Sequence, residues 1–489
     1  MRKAMDRQQR LDCQPVANVK LNLACRDEII PILAALQHIY AQPKLRDDIL
    51  RAVAADVNAD SSRKRGRRGM DYWPILVLAA VRLGCNLDYD KLQDLAEQHH
   101  NLRQIMGIGD WEEQTCLDWR RIQDNVTLLR PQTLERINQL IVGEGHRLVP
   151  QAVQKVRADS FVMETNIHFP TESGLILDGL RKVLQIGAEI ADLLGLGGWR
   201  QRKHLYRKAK QVVREIARLA ARKGDYKARM RTLYRELLEQ ATVVLDRADQ
   251  LQQHPSARDG LNLEALALIA QMNNFAQLTR QVCGTAKRRV LEDQTVPNSE
   301  KLFSIFETYT QLYKRGKAAE PVQFGRQVLV YEDAAGFIFH ACLLPRDVND
   351  SDVVVEQTRA LQKRLGGRIQ QASFDRGFHT PENQLALAEI IPHLCLPKLG
   401  ATQAAQQEQE ATVEFHQSRQ RHPGIESAIN ALQAGNGMDR CRDRTEAGFS
   451  RYLQLGVLGR NLHMLGKILL ARQEAGCQAA QSRRQSLAA

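Results

Sequence analysis

Three acidic residues stand in settings suited to joint chemistry. Asp159 lies in VRADSFVMETNIHFPTESG, Asp375 in IQQASFDRGFHTPEN and Glu426 in RHPGIESAINALQ. Carboxylates are hard oxygen donors, and a few of them hold Mg²⁺ when substrate oxygens complete the shell. Two such cations about 3.5–4 Å apart activate an attacking oxygen, stabilise a leaving oxygen and neutralise charge, as phosphodiester chemistry requires. Two carboxylates about 4 Å apart repel by roughly 4 kcal/mol at an effective dielectric of 20. Without cations, such a cluster is expected to be loose or partly protonated.

Each acid also has an ordinary explanation. Asp159 sits where the pattern turns extended, between Val153 and Met163, and an acid there can simply face solvent. Asp375 precedes Arg376-Gly377 and can stabilise a turn. Glu426 follows Pro423-Gly424 and can sit in a helix first turn, favoured by the helix dipole. On that helix Ile425, Ile429 and Leu432 make a buried stripe, while Glu426, Asn430 and Gln433 share another face. Glu164 is a fourth acid near Asp159, but five residues on a strand place it on the opposite side.

The elements around these residues alternate. VLVYE and GFIFHACLL, joined by Asp333-Ala334-Ala335-Gly336, read as a hairpin. Asp350 or Asp352 is expected to cap a helix reaching Leu365, and Arg368 to Phe374 reads as a strand ending at Asp375. Thr380 or Pro381 opens the next helix. The pattern predicts a mixed α/β core, with strands and flanking helices, interrupted by a nearly all-helical stretch over 178–320. Within that stretch Arg200 to Arg231 is dense in Lys and Arg, with Leu205, Val212, Val213, Ile216, Leu219 and Ala220 as its apolar face. That pattern fits a charged hairpin packing on itself or a basic arm laid along DNA.

Upstream, residues to about 60 read as helix, carried by Ile29, Ile30, Ile32, Leu33, Leu36 and Ile39. Short helices follow between 71 and 150: one capped by Asp71, one beginning near Asp88, and one after Asp110 holding Trp111, Leu117, Trp119 and Ile122. Between them SSRKRGRRG carries Arg63, Lys64, Arg65, Arg67 and Arg68. It reads either as a solvated linker or as an arm following phosphates. Phe449, Tyr452, Leu453, Leu455, Val457 and Leu458 make a strongly apolar helix expected to close the core, with Tyr452 and His463 structural.

The 489 residues carry 69 Lys and Arg against 56 Asp and Glu, a net charge of +13. Such a surplus favours nucleic acid or another polyanion as partner. The nine cysteines form no CxxC pair, which argues against a zinc ribbon or a disulfide framework. No apolar run approaches the roughly 20 residues of a membrane helix, and no signal peptide is read at the N-terminus, so a cytoplasmic protein is expected.

The segments ADSFVMETNIHFPTESGLILDG, KLFSIFETYTQLYKRGKAAEPVQFGRQVLV, FDRGFHTPEN, HPGIESAINAL and RCRDRTEAGFSRYLQLGVLGRNLH carry a resemblance over most of the chain. It resembles the DDE transposases of bacterial insertion sequences, particularly the ISNCY group. The resemblance implies an RNase H-like core in which Asp159, Asp375 and Glu426 hold two Mg²⁺ ions, with Mn²⁺ as a substitute. It implies cleavage at element ends to leave a 3′-hydroxyl, followed by attack of that hydroxyl on target DNA. End DNA and target DNA are the partners it implies, within a homodimer or larger synaptic complex and no membrane.

Many relatives carry Tyr, Arg and Lys around the final Glu, where this chain has Arg419, His422 and Gln433. Arg419 and His422 are expected at phosphate, as are Arg376 and the run Arg440, Arg442 and Arg444. The expected layout is an N-terminal helical segment over 1–60 and a basic arm with an end-binding helical domain over 61–150. The catalytic core then occupies 151–177 plus 321–472, the insertion 178–320 and a flexible tail 473–489. Two other functions share much of this sequence: a DNA-binding protein without catalysis, and an RNase H-like nuclease that cuts without joining.

Overall fold

A computed structural model describes residues 2–4, 11–23, 25, 27–59, 69–111, 117–222, 224, 226–254, 263–314, 321–398 and 410–488, with side chains to 479. The basic run from Arg63 to Arg68 lies outside the described residues. The N-terminal region is helical: α1 (Ile29–Ala41), α2 (Pro43–Val57), α3 (Tyr72–Gly84), α4 (Tyr89–Gln98), α5 (His100–Met106), α6 (Trp119–Val126) and α7 (Pro131–Leu148). The first strand, β1 (Lys155–Thr165), leads into α8 (Glu172–Leu194), α9 (Arg202–Ala220), α10 (Lys227–Gln253) and α11 (Leu263–Ala286). Then follow β2 (Gln311–Lys314), β3 (Val322–Asp333), β4 (Ile338–Leu343), α12 (Asp350–Arg364), β5 (Gln371–Phe374), α13 (Pro381–Ile390) and β6 (His393–Cys395). The chain ends with α14 (Val413–Arg421), α15 (Gly424–Asn430), β7 (Arg440–Cys441) and the long α16 (Glu446–Ala488).

The architecture is mixed α/β, with a seven-stranded mixed sheet ordered β2-β3-β1-β5-β6, β4 pairing with β3 and β7 with β1. Strands β1, β5 and β6 run parallel, whereas β3 and β4 form an antiparallel hairpin. The chain divides into two compact units, 1–166 with 326–489, and 167–325. The helical insertion is therefore wider than the expected 178–320 at both ends. Its last part is no longer helical: β2 pairs with the first residues of β3, Gln311 opposite Gly325. With only four residues, β2 is too short to interrupt the helical pattern around it.

The N-terminal helices and the sheet fall in the same unit, rather than in the separate domains expected over 1–60 and 61–150. The reason is α16. Its apolar face, with Phe449, Tyr452, Leu455, Leu458, Leu462 and Leu465 buried, packs against α1, α3, α7 and β4. A Cβ at position 459 would lie 2.6 Å from the Gly84 Cα and amide nitrogen, so α16 needs glycine there to meet α3. The same helix closes the free edge of β4. Asn461, wholly buried, accepts from the Ile338 N–H at 2.9 Å and donates to the Ile338 carbonyl at 2.9 Å. An edge strand that would otherwise expose unpaired backbone is thus satisfied by side chains. The helix continues through 473–488, the segment expected as a tail.

Several local expectations shift. Of the residues expected in a helix after Asp110, Trp111 is exposed in a turn and Leu117 lies outside any helix, and α6 begins at Trp119, capped by Asp118 accepting from the Arg120 N–H at 2.8 Å. Helix α5 carries no conventional start signal: its cap is His99, whose Nδ1 accepts from the Leu102 N–H, a residue type rarely found in that role. Asp71 precedes α3 as expected but makes no side-chain cap; it accepts instead from the Lys3 N–H at 2.8 Å. The cap of α12 is Asn349, with Asp352 completing a capping box three residues on. No disulfide joins the described cysteines. No helix among the described residues is long and apolar enough to cross a membrane.

Candidate active site

Strand register brings two of the three acids together. β1 and β5 are parallel, with Lys155 opposite Gln371 and Ala158 opposite Phe374. Asp159 and Asp375 each follow the last of these pairs, and Asp375 keeps an extended backbone at φ −73° and ψ 163°. Neighbouring strands lie about 4.8 Å apart and residues level across them point to one face, so the two carboxylates leave the sheet side by side. The position is also a switch point in the sheet: from β1 the chain continues to β3 on one side, and later to β5 on the other. Crevices at such reversals are where open α/β sheets bind ligands.

The third acid arrives on α15, which packs against β1. Ile425 and Leu432 are fully buried and Ile429 nearly so, leaving Glu426 on the exposed side as the helical spacing predicts. Asp159, Asp375 and Glu426 line one cavity of about 290 Å³, together with Arg376, Arg419, His422, Phe374, Cys395, Pro397 and Pro423. Of the residues expected at phosphate, Arg376, Arg419 and His422 share this cavity. Arg440, Arg442 and Arg444 do not line it. Arg440 is held by Glu164 at 2.8 Å, and Arg442 donates to the Tyr452 hydroxyl at 2.9 Å and to Asn86 Oδ1 at 2.8 Å. The pairing with Arg440 also explains Glu164, the fourth acid, which stays outside the cavity.

A residue that sequence reading missed organises this site. Arg157 lies two positions before Asp159 on β1, on the same face. Its Nε donates to Glu332 Oε2 of β3 at 2.5 Å, and its Nη1 donates to the Arg421 carbonyl at the end of α14 at 2.9 Å. A Cβ at position 424 would come within 2.1 Å of the Arg157 Nη1, so any larger residue at the start of α15 displaces the guanidinium from its present place. Arg157 thus fixes the helix that carries Glu426 to the strand that carries Asp159. Glu332 is buried, and burial pushes its carboxyl up against the downward pull of Arg157 and Arg460. The only signal in the sequence is the alternation of Lys155, Arg157 and Asp159; the partner at 332 lies far along the chain.

His422 is the other half-buried group. Its Nδ1 shares a hydrogen bond of 3.1 Å with Ser373 Oγ on β5. Burial holds its pKa below the ordinary histidine value, opposed by Asp375 and Glu426 and reinforced by Arg157. It is therefore neutral near pH 7, and the cavity's charge is set by three carboxylates and two guanidiniums.

The donor set suits a hard cation. All three acids offer oxygen, no soft ligand competes except Cys395, and burial raises that thiol to about 12, which keeps it protonated. Among the described residues no three His, Cys, Asp or Glu side chains are gathered closely enough to hold a metal ion. The three acids line one cavity without forming such a group.

Comparison with protein-family models, with curated proteins and with solved structures gives no match. The chemistry of the cavity carries the functional reading.

Proposed function

We propose that this chain is a DNA transposase of the DDE type, which cleaves DNA at the ends of an element and joins them to a target. One observation carries the reading: strand register sets Asp159 beside Asp375, and Glu426 lines the same cavity from α15. The mixed sheet, with parallel β1, β5 and β6 beside the antiparallel β3–β4 hairpin, supports an RNase H-like core with a helical insertion.

Charge supports a metal requirement. Three carboxylates against two arginines, with His422 neutral, leave the cavity anionic. A phosphodiester is repelled from such a site unless cations reverse its sign. Asp159, Asp375 and Glu426 would hold Mg²⁺, or Mn²⁺ in its place, and the ions would supply charge neutralisation and oxygen activation at phosphorus. Arg376 and Arg419 bind and orient the phosphate flanking the reacting bond. Arg157 and Gly424 keep α15 at a fixed distance from β1. Because two ends are cut and joined together, the working form is a homodimer or larger assembly.

A plasmid carrying this gene with its native flanking DNA tests the proposal. With Mg²⁺, the wild-type chain is expected to cut near the gene's borders and to transfer the released 3′-ends to a second plasmid. Asp375→Asn should lower both reactions by at least roughly 10³-fold, the scale for removing a group that stabilises transition-state charge, with duplex affinity retained. Cutting that persists in this variant removes Asp375 from the chemistry. Cutting without transfer points to a nuclease, and binding without cutting to a DNA-binding protein.

A further inference from the structure

Nearly half of the chain's surplus positive charge sits on one helix that the catalytic reading does not use. Helix α9 carries Arg202, Lys203, Arg207, Lys208, Lys210, Arg214 and Arg218 against a single acid, Glu215. That acid already faces Arg229 of α10 at 3.5 Å. Among the described residues none of the seven cations meets a carboxylate. Arg207 Nε donates to the Lys203 carbonyl at 3.3 Å, and the Lys210 ammonium lies 5.7 Å from the Tyr206 ring. Helix α10, in the same unit, is nearly balanced, and its Arg229 and Arg231 are paired with Glu215 and Asp293.

The cations are ordered. At about 100° per residue, Lys203, Arg207, Lys210, Arg214 and Arg218 fall within a stripe about 80° wide. Ala209, Val212 and Ile216, each no more than 4% exposed, fall on the opposite side and pack against α8 and α10. The stripe runs about 22 Å along the axis, a length over which one DNA strand presents roughly six phosphates.

We infer that this stripe is a second DNA-binding surface, which grips the phosphate backbone of duplex DNA without reading its sequence. The choice of DNA as the polyanion rests on the function proposed above; the surface itself rests on the helix. An anionic membrane fits less well. A helix that lies on lipid buries its apolar face there, and the apolar face of α9 is already occupied by the core of its own unit. Five flexible cations and no aromatic or amide side chain within the stripe are suited to phosphates, which position a protein, rather than to base edges, which specify a sequence.

The test is equilibrium binding of the full chain to two 30-base-pair duplexes of unrelated sequence, over a range of salt. The variant is Lys203→Gln, Arg207→Gln, Lys210→Gln, Arg214→Gln and Arg218→Gln together, which keeps good helix formers throughout. Affinity for both duplexes should fall at least tenfold, and the slope of log K against log salt should become shallower by up to about 4–5, at about 0.9 per lost phosphate contact. If the fivefold variant fails to fold by circular dichroism, Lys203→Gln with Arg207→Gln should still reduce the slope by up to about 2. An unchanged slope overturns the inference, as does a loss confined to one sequence. Loss of binding to phosphatidylserine vesicles with duplex binding intact overturns it in favour of a membrane. The two proposals fail separately: Asp375→Asn is read by cutting, and the α9 variants by salt dependence.

Discussion

Arginine does opposite work in the unit that holds the sheet and on helix α9 of the other unit. Around the sheet it is a strut: Arg157 is clamped by Glu332, Arg440 by Glu164, and Arg82 by Asp443 at 2.6 Å beneath the Tyr89 ring, 3.9 Å away. On α9 the same side chain, and lysine with it, has no acidic partner among the described residues. Composition cannot tell these apart, because both contribute equally to a net charge of +13. What distinguishes them is whether a carboxylate has been folded against them. A cation so paired sets distances within the protein, and one left in water remains available to an anion from outside.

The sharpest way to break this contrast is to remove a strut. Arg82→Met removes the closer of the two guanidiniums at the buried Asp443 side chain, leaving Arg451 at 3.8 Å, and should cost up to about 3–5 kcal/mol in urea unfolding. The fivefold Gln variant of α9, although it deletes more charge, should change stability by about 1 kcal/mol or less, as exposed sites do. Equal losses in the two would erase the distinction.

A smaller change addresses the site. Gly424→Ala drives a methyl group into the Arg157 guanidinium, which must move and loosen its hold on Glu332. About 1–2 kcal/mol of stability should go, with a clear fall in cutting and no change in duplex affinity. Cutting at the wild-type rate would show that α15 keeps its position without Arg157.

The mildest effect is one of pH. Burial brings the His340 imidazole down to about 4, and its Nδ1 is buried without a partner while Nε2 bonds to Gln357 at 2.9 Å. Between pH 6.5 and about 4 the unfolded chain takes up a proton that the folded chain refuses. Stability therefore falls as pH falls through that window, and is unaffected by this group above it. His340→Gln should make the decline shallower by up to one proton in urea titrations at successive pH values; an unaltered slope would mean that His340 is protonated in the folded state.

The cavity was legible in the sequence to the extent that its chemistry is local. Asp375 ends a strand and Glu426 rides a helix, and both patterns are written within a few residues. Asp159 was found on β1 because the alternation around Val156 and Ala158 is local too. Their convergence was not local. It depends on the pairing of Ala158 with Phe374, which no window of sequence contains. Arg157 was invisible for the same reason, since its value lies in Glu332 and in the turn before α15. For the arginine run at 440–444, proximity in sequence to Glu426 suggests phosphate, and the fold adds protein partners for Arg440 and Arg442 that no local pattern announces. Helix α5 and strand β2 escaped because one has an unusual cap and the other is only four residues long.

The sheet order has a consequence for how the molecule comes into being. β1 and β3 are neighbours, yet residues 166–321 are synthesised between them. On the ribosome β1 must wait, one side bare, until that whole stretch has emerged and β3 can join it, and longer still for β5 on its other side. The intervening helices have their own core of Leu180, Val183, Leu237, Met272 and their neighbours, so they can condense during the delay and shorten the loop left to close. The waiting strand, with Phe161, Val162 and Met163 in succession, is the part of the nascent chain most exposed to mispairing, and the place where a chaperone would matter most.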